Sequence, residues 1–170
     1  MTEDTSIRPS FPEWPGQARR LRDAVAELTA EQLGIVPGPG RWPLWATVGH
    51  LACQRVFWLC DYAGEPGADT TPYRNAAFDC PGDDDLEHVL SPGDLARGLD
   101  ASLAIVERVL DTWTPESLGR EISHPEWGEH NRVHTRGFVI ERLHAHDIAH
   151  IAELHEALTR AGLPIVDLWG

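Results

Sequence analysis

The chain has 170 residues, 42% of them hydrophobic, and a formal net charge of −13. That is enough for one well-buried core and too little for two, and too apolar for a chain disordered throughout. All 14 basic residues are arginine and they form no cluster, so the acidic surface argues against nucleic acid and anionic lipid as partners. No apolar run approaches the roughly 20 residues of a membrane helix, and the opening MTEDTSIRPSF lacks the apolar core of a signal peptide. A cytoplasmic protein with no membrane contact is expected. Cys53, Cys60 and Cys80 are an odd set without C-x-x-C spacing, which argues against a disulfide framework and a thiolate zinc knuckle.

In chain order, the first helical signal starts at Trp14, with Leu21, Val25 and Leu28 at spacings of four and three. Thr29 and Gln32 then read as a capping box for one further turn ending near Leu33. The PGPG run at 37–40 breaks the chain. A second helix is predicted from Leu44, just after Pro43, to about residue 63, with Leu44, Val48, Leu51, Arg55 and Trp58 along one stripe. Residues 64–90, rich in Pro, Gly and Asp, read as a long acidic surface loop with room for one short helical piece; Asp83, Asp84 and Asp85 lack the spacing of a calcium site and read as solvated. Ser91 and Pro92 are an N-cap and first-turn proline, and Leu95, Leu99, Leu103, Val106 and Leu110 make the clearest amphipathic helix, over 92–112. Residues 118–132 lack helical periodicity and suggest a loop or weak hairpin. The last helix is predicted over about 135–161, with Gly162 just past its end and an apolar tail, IVDLWG, that docks on the core or on a second subunit. One domain over 1–170, an all-α four-helix bundle with long crossover connections, is the architecture this order implies.

The chemistry is concentrated in histidine. His146 and His150 lie one helical turn apart on one face, and Glu153 completes the row within about 20° of His146. Two imidazoles at that spacing are half of a divalent-metal site and need a ligand from elsewhere. His50, midway along the second helix, is the natural third, because a titratable ring inside a bundle needs a partner. Gln54, one turn on, is placed to support it. His130 and His134 repeat the spacing, but in a segment without periodicity. His144 and His155 point away from the row and read as surface residues. The tryptophans, Trp42, Trp45 and Trp58 among them, read mainly as core, with Trp45 and Trp58 also able to wall an apolar cleft.

These residues resemble a known family. The stretch RWPLWATVGHL at 41–51, with its Trp-led turn before His50, is similar to the second helix of the DinB superfamily, and HDIAHIAEL at 146–154 is similar to its last helix. The resemblance implies a DinB-type four-helix bundle, often a homodimer, with a mononuclear site of three histidines and water. It implies one divalent ion, zinc or nickel ahead of iron or manganese. It further implies a low-molecular-weight thiol as co-substrate and a small electrophile as substrate, in S-transfer or a related isomerisation such as that of mycothiol-dependent maleylpyruvate isomerase. His50, His146 and His150 are then the metal ligands and Glu153 the catalytic base or water-orienting group. The alternatives are a metal-dependent hydrolase using the same site and a non-catalytic metal-binding stress-response bundle.

Overall fold

The apolar stripes read from the sequence close on one another as expected. The computed structural model describes residues 6–73, 76, 79–164, 166 and 167. Its helices are α1 (Trp14–Ala26), a one-turn α2 (Ala30–Leu33), α3 (Leu44–Val56), α4 (Pro92–Thr112) and α5 (Arg136–Arg160). Among the long four, α3 packs on both α4 and α5, and α1 packs on α4. The chain is thus an all-α bundle.

Local chemistry sets the ends of these helices. Thr29 and Gln32 form the capping box, with Thr29 Oγ1 accepting from Gln32 N at 3.2 Å and Gln32 Oε1 accepting from Thr29 N at 2.9 Å. Ser91 Oγ accepts from Asp94 N at 3.1 Å and opens α4. Its stripe of Leu95, Leu99, Leu103, Val106 and Leu110 is buried along its whole length. Thr135 caps α5 through Phe138 N, and Gly162, at φ 68°, takes the left-handed turn that ends it. The helix begun at Leu44 does reach the predicted end, but its last part, Phe57–Tyr62, is π-helical. Residues 118–132 are mostly 3-10 turns. The small hairpin pairs β1 (Glu121–Ile122) with β2 (His134–Thr135), so its second strand lies just beyond the predicted segment. Of the apolar tail, Val166 is buried against the end of the core that holds Leu21, Val25 and Leu158, while residues 165 and 168–170 lie outside the described residues.

One polar network crosses this core. Arg55 and Asp147 are each 0% exposed, with Arg55 Nη2 donating to Asp147 Oδ2 at 2.6 Å and Nε at 3.0 Å. Trp14 Nε1 donates to the same oxygen at 2.6 Å, and Arg55 Nη1 reaches Ser102 Oγ at 3.4 Å. Trp14, Arg55, Ser102 and Asp147 come one each from α1, α3, α4 and α5. Each charge is satisfied, and the network fixes the helices in one register rather than adding much net stability.

Candidate metal centre

His50 sits mid-way along α3, 5% exposed, where the helix faces α5. His146 and His150 are half-buried on α5, one turn apart. One ring nitrogen from each of the three lies within 4.8 Å of the others. His50 Nε2 and His146 Nε2 are 3.1 Å apart. Two nitrogens about 2.0–2.1 Å from one tetrahedral ion stand about 3.3 Å from each other, so this spacing fits a single shared ion. The donor set is all imidazole, which suits zinc, nickel, iron or copper. Among the described residues these three form the one group of His, Cys, Asp or Glu with such geometry.

The far side of each ring differs. His150 Nδ1 meets Glu153 Oε2 at 3.0 Å, and Glu153 Oε1 pairs with Arg41 at 2.9 Å. His50 Nδ1 faces the loop that follows α3, with Cys80 Sγ at 3.7 Å and Asp83 Oδ2 at 3.4 Å. His146 Nδ1 is buried with no hydrogen-bond partner among the described residues. Burial, and then the neighbouring rings of His150 and His50, push His146 down to about 3, so its lone pair is available at neutral pH. Burial pulls His50 down as well, but the Cys80 thiol and the Asp83 carboxylate outweigh it and the net shift is upward. Cys80 is lowered to about 6 by its hydrogen bond with Cys53, against burial, with further help from His50.

Two clefts flank the cluster. One, of about 510 Å³, is lined by Phe138, Glu141, Arg142, Ala145 and His146. The other, of about 260 Å³, is lined by Gly40, Arg41, Trp42, His150 and Glu153. A further cavity of about 530 Å³, walled by Phe11, Trp14, His144 and Ile151, shares no residue with the three clustered histidines and lies on the opposite face of α5.

Several expectations are corrected by this geometry. Gln54 does not support His50. Its amide donates to Cys80 Sγ at 3.6 Å, and its oxygen accepts from Trp58 Nε1 at 3.1 Å. Trp45 is 3% exposed and belongs to the core, whereas Trp42 is the indole against His50, with ring centroids 5.0 Å apart. Trp58 carries the Arg142 guanidinium, 5.0 Å from its ring centroid. His144 is only partly exposed, its ring packing on Phe11 and Trp14 at 5.3 and 5.0 Å. The acidic run lies at the surface as expected, yet Asp83 Oδ2 stands 3.4 Å from His50 Nδ1 and Asp84 Oδ2 accepts from Cys80 N at 2.9 Å. Sequence reasoning missed Asp147 and Cys80. A charged Arg55 in an otherwise apolar stripe was the available signal for Asp147, and Cys80 gave none.

No curated protein matches the chain. By structure it is similar to a DinB-like protein from Bacillus cereus, with a TM-score of 0.64 at 18% identity, covering 96% of this chain and 97% of that one. That likeness speaks for the fold. The family model described as the DinB superfamily matches residues 14–154, which span all four long helices up to Leu154 and include all three histidines. The chain belongs to the DinB superfamily.

Proposed function

We propose that this protein is a metal-dependent enzyme that joins a low-molecular-weight thiol to a small electrophile, working at His50, His146 and His150. The observation that carries the reading is a three-imidazole cluster with open clefts on two sides. A structural zinc site is usually closed by four protein ligands, whereas three ligands and an open position are the pattern of a catalytic one. A divalent ion held by three neutral rings keeps its full positive charge and lowers the pKa of a thiol or water brought against it by several units.

The chain's own residues supply the rest. Glu153 lines the smaller cleft beside His150 and is placed to accept the thiol proton. Each of its oxygens makes one contact, with His150 or with Arg41, and keeps a lone pair besides. Arg41 holds the carboxylate towards the site, and Trp42 walls it. The electrophile is assigned to the larger cleft, where Phe138 offers an apolar face and Arg142 a cation. Among the described residues no helix is long and apolar enough to cross a membrane, and the proposed setting is the cytoplasm, as a homodimer.

The test is an assay of zinc- or nickel-loaded protein with a bacterial thiol and a chlorinated nitroarene. The sulfur–carbon bond forms, chloride leaves and Glu153 takes the thiol proton. His150→Ala should melt as wild type does when both are metal-free, and lose turnover by at least a hundredfold. Absence of turnover with every common bacterial thiol would leave the ion a non-catalytic role.

A further inference from the structure

Residues 80–83, in the long acidic connection between α3 and α4, converge on one atom. His50 Nδ1 meets Cys80 Sγ at 3.7 Å and Asp83 Oδ2 at 3.4 Å. The Asp83 carboxylate is an acceptor there. The Gln54 amide donates to Cys80 Sγ at 3.6 Å. A ring nitrogen facing a carboxylate carries the proton, which leaves the lone pair on Nε2, the nitrogen turned towards His146.

The loop is held there by close packing. A Cβ on Gly49 would stand 3.0 Å from the Pro81 ring, so α3 offers Pro81 a seat only a glycine can provide without something shifting. Gly82, at φ 87°, lies so near Trp42 that a Cβ would come within 2.7 Å of the indole. Within the loop, Gly82 N donates to the Asp85 carbonyl at 3.0 Å and Cys80 N to Asp84 Oδ2 at 2.9 Å.

We propose that the Cys80–Asp83 segment is a positioning element that fixes the tautomer and orientation of His50, so that its Nε2 is presented to a metal ion before the ion arrives. Cys80 and Asp83 do not themselves join the ligand cluster. They act through His50, as partners of metal-binding histidines commonly do, and their loss is expected to weaken metal binding by about 10–100-fold. The inference rests on the reading of the three histidines as ligands, and its test separates the two.

In metal-free, ¹⁵N-labelled protein, long-range nitrogen–proton spectra report which nitrogen of His50 bears the proton. Wild type should show the Nδ1–H form. The double variant Cys80→Ala/Asp83→Ala should show a mixture of tautomers, an unchanged metal-free melting temperature, and a zinc affinity, by competition with a chromophoric chelator, at least tenfold weaker. Asp83→Asn, which keeps an acceptor oxygen, should stay within about threefold of wild type. A double variant that keeps both the Nδ1–H tautomer and wild-type zinc affinity overturns the proposal. If that variant does not fold, the half-exposed Asp83→Ala decides through the same two readouts. Should wild type take up no zinc, the ligand reading fails, while the tautomer spectra still judge the positioning role.

Discussion

His146 is neutral in the folded protein because burial and two neighbouring imidazoles hold it down to about 3, against an ordinary 6.5. Between those values the unfolded chain binds a proton that the folded chain does not. Stability therefore falls as pH drops from 6.5 towards 3, by up to about 1.4 kcal/mol per pH unit from this group, and is unaffected by it above 6.5. Urea unfolding of metal-free protein across that window should show a slope for His146→Gln that is shallower by close to one proton. Asp147, the next residue, carries a different load. Asp147→Ala would leave the Arg55 guanidinium buried with Ser102 as its remaining polar contact, an expected loss of about 3–5 kcal/mol by urea titration. Replacing both as Arg55→Met/Asp147→Leu should recover most of that loss. The three-histidine cluster was legible because helical spacing puts His146 and His150 on one face and because a mid-helix His50 needs a partner. Asp147 was not, since nothing in its local pattern separates a buried ion-pair partner from a solvent-facing acid.

Elements fared unevenly for a physical reason. Helices whose ends are set by local chemistry, such as Pro43 before α3 and Ser91-Pro92 at α4, fall within a residue or two of their predicted bounds. The 64–90 connection is legible only as an acidic surface stretch with one short helical piece, which the structure places at Ala68–Thr70. Its conformation is dictated by tertiary contacts, Pro81 on Gly49 and Gly82 on Trp42, which no local periodicity encodes. The same connection is anchored to α4 through Tyr73, whose hydroxyl is buried with no hydrogen-bond partner among the described residues. A Cβ at Gly98 would stand 2.7 Å from that oxygen and 3.0 Å from the ring. Gly98→Ala should therefore destabilise the protein by about 1–3 kcal/mol in a denaturant melt, as overpacking does. Tyr73→Phe in the same background should restore part of that loss, because it removes the clashing oxygen.

At the scale of the molecule, histidines drawn from α3 and α5 would make ion binding a clasp between two packed helices. Zinc that binds the folded chain alone stabilises it by mass action, about 2.7 kcal/mol at a free concentration one hundred times its dissociation constant. Calorimetric melts should show the transition rising with added zinc in wild type and staying fixed in His50→Ala. The buried network of Trp14, Arg55, Ser102 and Asp147 bears on this clasp. Asp147 lies between the two histidines in the sequence of α5, and its carboxylate is gripped from α1 and α3. Any roll of α5 about its long axis would drag that carboxylate from its sockets, so the imidazoles cannot swing apart while the bundle stands. The entropy of arranging them is surrendered once, when the chain collapses, so an arriving cation would meet a mould already cast.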